Sequence, residues 1–124
     1  MNRKITIVFI VVFVTTFMVS CQQEAVLRPV IFLDQEQMVE IITDLQINNA
    51  IVLQEKSLGR TTDTLSRILS DSIFNRHRLS KAIFDSNLTW YLTDPKKMEQ
   101  IYDAVLAKLQ QIQLEKTGSI SDPE

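Results

Sequence analysis

From Asp34 to Glu115 the chain contains one glycine, Gly59, and one proline, Pro95, while its apolar residues return every three or four positions. That spacing lines up one face of a 3.6-residue helix, whereas a half-buried strand would alternate apolar and polar residues. A segment with this period and so few breakers is therefore predicted to fold as helices.

The spacing predicts a first helix from about 35 to 56, opened by a capping box of Asp34 and Gln37. Met38, Ile41, Ile42, Leu45 and Val52 share one stripe, with Glu40 and Asp44 pointing outward. In its second half Ile47, Ala50, Ile51 and Leu53 occupy the opposite or flanking side. A helix that is apolar all round is buried or covered by a partner. A loop over 57–62 leads to a second helix that Asp63 can cap, with Leu65, Ile68, Leu69 and Ile73 on a face and Phe74 off it. Arg76, His77 and Arg78 fall at its end, where cations oppose the negative end of the helix dipole.

Ser80 caps a third helix in which Ile83, Phe84, Trp90 and Tyr91 bracket Asn87, so Asn87 is expected on the buried side. Asp94 and Pro95 open a fourth, whose stripe is Met98, Ile101, Tyr102, Val105, Leu106, Leu109 and Ile112. The last two connections are short, which favours antiparallel or steeply crossing neighbours. The expected fold is all-α, a small antiparallel bundle of about four helices following a cleaved leader.

That leader is read from residues 1–20. A basic start, Arg3 and Lys4, precedes an apolar run from Ile5 to Val19 broken only by Thr6, Thr15 and Thr16. This is the order of a secretory signal peptide. The run ends in Met18-Val19-Ser20-Cys21, which resembles a lipobox, with Met18 where leucine is usual. Cysteine is needed there because its thiolate takes up diacylglycerol, and a small residue before it admits the peptidase. Two alternatives compete. A membrane-spanning anchor needs about 20 apolar residues, more than this run supplies. Plain secretion would leave Cys21, the sole cysteine, as an odd thiol.

The expected organisation is thus a signal peptide over 1–20 cut between Ser20 and Cys21, an acylated tether over 21–33, a helical domain over 34–115 and a disordered tail over 116–124. The apolar end of the tether, Val30 to Leu33, is placed to dock on the domain. Acyl chains on Cys21 would bind the membrane, and Gln22 after the cysteine resembles Gram-negative lipoproteins destined for the outer membrane. Without Arg3 and Lys4 the mature chain carries 11 basic and 15 acidic side chains, a formal charge of −4. Nucleic acid, which needs a basic face, is not an expected partner.

Three stretches taken together resemble a known family: Met38 to Leu45, Ser72-Ile73-Phe74 with Leu79-Ser80-Lys81, and Phe84 to Tyr91 leading to Asp94-Pro95. They are similar, over most of residues 30–110, to short lipoproteins of the uncharacterised domain-of-unknown-function family 4296. Its members usually carry a glycine near the turn where this chain has Arg78. The resemblance implies an envelope address and a helical fold, and no catalytic or ligand-binding residues.

Catalytic groups are sparse. His77 is the only histidine, and two arginines flank it where a metal would be repelled, so neither a metal site nor a cofactor is expected. Glu40 and Asp44, four apart, read as a solvated face, because a raised carboxylate pKa needs burial. Arg76, Arg78 and Lys81 form a local basic cluster that could meet a headgroup but suits a helix end. Asn48, Asn49 and Asn87 must find hydrogen bonds wherever they are buried. Trp90 and Tyr91 read as core.

The leading expectation is a non-enzymatic interaction module that uses Ile47 and Ile51 to contact an envelope protein or a second copy. The alternative is a lipid- or small-ligand-binding lipoprotein with a pocket among Met38, Leu45, Tyr102 and Leu106.

Overall fold

The computed structural model describes residues 2–17 and 25–118. Within them the chain is helical: α1 Asn2–Phe17, α2 Gln35–Ser57, α3 Asp63–Arg76, α4 Lys81–Leu92 and α5 Pro95–Gly118. Among the described residues no helix is long and apolar enough to cross a membrane. Ser20, Cys21 and the proposed cleavage between them lie outside the described residues, as do residues 119–124 of the expected tail.

Caps set the helix boundaries. Asp34 accepts from the Gln37 amide at 2.8 Å, and Gln37 Oε1 accepts from the Asp34 amide at 3.0 Å, completing the expected box. Ser80 Oγ accepts from the Ile83 amide, and Asp94 Oδ1 from the Lys97 amide, one residue ahead of Pro95. Asp63 is the first residue of α3 rather than its cap. Thr62 takes the cap position without a side-chain bond, and Asp63 serves as an acidic first-turn residue facing the helix dipole. Helix α5 continues to Gly118, beyond the end expected at 115.

Two helices end in the same way. After α2, the Gly59 amide donates to Lys56 O and the Arg60 amide to Glu55 O; after α3, the Arg78 amide donates to Asn75 O and the Leu79 amide to Phe74 O. Both are Schellman motifs, which need a left-handed residue after the cap. Gly59 supplies it at φ 75°, and Arg78 at φ 54°. A side chain in that region costs about 1–2 kcal/mol, which gives glycine the advantage at this turn. Arg78→Gly is expected to stabilise the domain by about 0.5–1 kcal/mol, net of the greater freedom glycine gains in the unfolded chain. Thermal unfolding would show the midpoint rising by a few degrees; a fall would contradict the strain argument.

The core occupies one end of the bundle. Met38, Val39, Ile41 and Ile42 of α2 meet Ile73 and Phe74 of α3, Phe84 and Tyr91 of α4, and Met98, Ile101 and Val105 of α5. Leu33, just before α2, is 5% exposed and belongs to this core. No residue of α2 beyond Thr43 is buried. Tyr102 and Leu106, expected on the α5 stripe, are 47% and 58% exposed, because the buried line runs through Met98, Ile101 and Val105 and leaves them on its flank.

Cross-helix contacts fix the directions. Asn48 of α2 donates to Leu69 O of α3, while Asp44 meets Arg76 and His77, so these two helices are antiparallel. Lys108 of α5 reaches Glu40, and residues 109–117 lie along residues 46–54, so α5 runs parallel to α2. The short α4 makes this possible by carrying the chain between α3 and α5 at the core end. The bundle is therefore antiparallel in one pair and parallel in the other.

Candidate functional site

Two features stand out, one at each end of α2. At the core end, residues 31–33 form a strap held to α4 by side chains. Asn87, fully buried, accepts from the Leu33 amide at 2.8 Å and donates to Ile31 O and Ile83 O, each at 2.8 Å. An asparagine amide offers a donor and an acceptor as a peptide unit does, so one side chain pairs with the strap as a neighbouring strand would. Four residues on, Tyr91 donates its hydroxyl to Leu33 O at 3.0 Å. Burial raises the Tyr91 phenol pKa above its ordinary value, with Asp34 adding to the shift and Arg28 opposing it.

Aromatic packing closes this clasp. Phe32 lies against Tyr91 at 5.9 Å and edge-on to Trp90 at 5.1 Å. Arg28 sits over the outer face of Phe32 at 3.9 Å, and Lys97 over Trp90 at 4.8 Å. Cations on ring faces are attracted by the ring quadrupole. Of the tether's apolar end expected to dock, Phe32 and Leu33 pack on the domain, while the side chains of Val30 and Ile31 stay exposed.

At the other end of α2 the helices part. Between α2 and α5 lies an open groove of about 520 Å³ with Ile47, Ala50 and Ile51 on one wall and Leu109 and Ile112 on the other. Gln46, Gln54 and Lys116 are on its rim. On the α3 side a smaller hollow of about 210 Å³ is lined by Leu45, Asn48, Asn49, Val52, Ser66 and Ser70. The distal half of α2 is thus flanked by clefts on two sides. Ile47 is half-buried and Ile51 is 42% exposed, so the two residues singled out from the sequence share the larger groove.

The other candidates disperse. Met38 is in the core while Tyr102 and Leu106 are on the surface, so the ligand pocket expected among them and Leu45 does not form. Glu40 is exposed and meets Lys108 at 3.4 Å. Asp44 is half-buried, not simply outward: its Oδ2 lies 3.3 Å from Arg76 Nη1 and 2.9 Å from His77 Nε2, locking the end of α3 onto α2. The basic cluster is divided, since Arg76 faces Asp44 and Lys81 pairs with Asp85. Asn49 borders the α3-side hollow. Among the described residues no group of three His, Cys, Asp or Glu side chains could hold a metal ion.

Fold and site define a small helical domain with a strap clasped at one end and an apolar trough open at the other. The chain belongs to the family of the domain of unknown function DUF4296, whose model matches residues 29–115. That match begins before the strap, so the clasp lies within the family's domain. No curated protein and no solved structure matches the chain.

Proposed function

We propose that this chain is an envelope lipoprotein, acylated on Cys21 and held at the outer membrane, whose helical domain is a non-enzymatic module that docks a helix of another envelope protein. The observation that carries the docking is the α2–α5 groove, with its aliphatic walls and amide and lysine rim. Residues 47–54 rise about 10–12 Å, enough to seat two turns of an amphipathic helix presenting apolar residues at i, i+3, i+4 and i+7. Position supports the same reading. The strap joins the start of α2, and the groove lies toward its far end, away from the point where the tether enters the domain.

The test is a photocrosslinking residue at Ile51 in intact cells, with the same group at Ile68, 58% exposed on α3, as control. A discrete adduct is expected from the Ile51 position alone, lost on Ile47→Asp, with both variants still folded and anchored. Equal adducts from both positions, or an adduct that survives Ile47→Asp, would overturn the reading. An adduct at twice the chain's mass would replace the partner with a second copy.

The second reading is a lipid or small-ligand carrier, which the groove favours through its volume, within the roughly 300–1,000 Å³ of ligand pockets. Native mass spectrometry of the extracted protein separates the two, because a carrier retains a bound molecule that Ile47→Asp releases.

A further inference from the structure

Residues 26–31, which lead into the strap and end on its first residue, carry exposed apolar side chains. Val26, Leu27, Val30 and Ile31 are 41%, 84%, 104% and 56% exposed. Beside them, Val30 and Ile31 join Pro29, Ala82, Ile83 and Ser86 around an open hollow of about 360 Å³ with a mostly aliphatic lining. Asn87 holds the Ile31 carbonyl and Tyr91 the Leu33 carbonyl, so the backbone at Ile31 is fixed while its side chain is exposed. From Ala25 to Leu33 the chain carries no acidic residue and a single cation, Arg28.

We infer that residues 26–31 are a membrane-contact surface, and that its partner is the interfacial layer of the bilayer in which the Cys21 acyl chains are embedded. The inference rests on the acylation proposed above. Chain length supplies the argument. At 3.3–3.6 Å per residue, Leu27 lies no more than about 20 Å from Cys21, and Ile31 no more than about 35 Å. An anchored cysteine therefore keeps the patch within reach of the headgroups throughout. Apolar side chains beside a cation settle about 5–10 Å into that layer, where the aliphatic groups leave water and the cation faces phosphate. A protein partner at residues 26–31 would have to compete for a surface that the anchor already brings to lipid. That contact would then orient the domain, seating its base on the bilayer with the distal groove outward.

The experiment uses the acylated full chain in phosphatidylethanolamine and phosphatidylglycerol vesicles with brominated acyl chains. Trp90 is the only tryptophan, so a Trp90→Phe background gives a silent chain into which Leu27→Trp or Leu53→Trp is placed; Leu53, 57% exposed on distal α2, is the control. Circular dichroism checks that each variant is folded, and vesicle flotation reports the anchor separately. In floating protein the Leu27→Trp emission is expected to shift to the blue and be quenched by bromine, with the Leu53→Trp emission unmoved. Equal emission from both probes in floating protein would overturn the membrane contact and leave the anchor standing. A chain that does not float would overturn both.

Discussion

Replacing Asn87 with Leu is expected to destabilise the domain by about 2–4 kcal/mol, although the two side chains have the same number of heavy atoms and leucine is the better helix former. The loss follows from where the three hydrogen bonds go. Ile83 O keeps its helical partner, and Ile31 O, on an exposed residue, can turn to water. The Leu33 amide can do neither. It is buried beside Asn87 Oδ1, and an orphaned buried donor costs about 1–3 kcal/mol. If the strap lifts to hydrate that amide, Leu33 and Phe32 leave the core, and exposing each such side chain forfeits about 1.5–3 kcal/mol. Lifting the strap therefore costs about 3–6 kcal/mol, whereas leaving the amide orphaned, with the bond to Ile31 O also lost, costs about 2–4 kcal/mol, and the cheaper route sets the loss.

A domain this small has roughly 5–15 kcal/mol in hand, so the variant should melt on the order of 20 °C lower. Thermal denaturation checks the size, and amide exchange at Leu33 tells the routes apart. Tyr91→Phe is the graded companion: it deletes the bond to Leu33 O but keeps the ring against Phe32, for a loss of about 1 kcal/mol. A midpoint for Asn87→Leu within a few degrees of the parent would show that the clasp contributes little.

The sequence showed the helices because each one rests on local signals. The Asp34–Gln37 box, the Ser80 cap and the Asp94–Pro95 pair each act within four residues, and periodicity placed Asn87 on the inner face. What it left hidden was relational. Period alone puts Tyr102 and Leu106 on the α5 stripe, and only the neighbour's position decides that the buried line passes beside them. Asp44 reads as outward on its own helix, and it gains a partner only because the end of α3 arrives across from it. The parallel course of α5 depends on the angle at which α4 crosses, which no short motif records. The strap was the nearest miss. Its apolar end was visible, but the acceptor for Tyr91 and the strap partners of Asn87 lie more than fifty residues away in sequence.

The groove was half legible for the same reason. The second half of α2 carries more apolar surface than one stripe can bury, and that excess pointed to Ile47 and Ile51. The opposite wall, Leu109 and Ile112, read simply as the continuation of the α5 stripe. Their failure to close on α2 is a matter of spacing between helices packed tightly only at the core end.

Cys21→Ser is expected to abolish membrane association and leave the leader attached. On the proposed acylation, a hydroxyl would not replace the thiolate that accepts diacylglycerol, and the bond after Ser20 would be cut only once the next residue carried its lipid. The effect should be close to all-or-none. Each buried methylene contributes about 0.8 kcal/mol, so two long acyl chains supply on the order of 20 kcal/mol, where one chain alone binds only reversibly. The retained leader is a poor substitute: α1 has 16 residues and spans about 24 Å, short of a hydrocarbon core of about 30 Å. Mass spectrometry of the extracted protein and partition between detergent and aqueous phases measure both consequences. A Cys21→Ser chain that is processed and membrane-bound like the parent would remove the anchor, and with it the reason for residues 26–31 to meet lipid. The proposed docking at the groove would stand apart from that result, because the half-buried Ile47 and the 42% exposed Ile51 do not depend on where the chain is tethered.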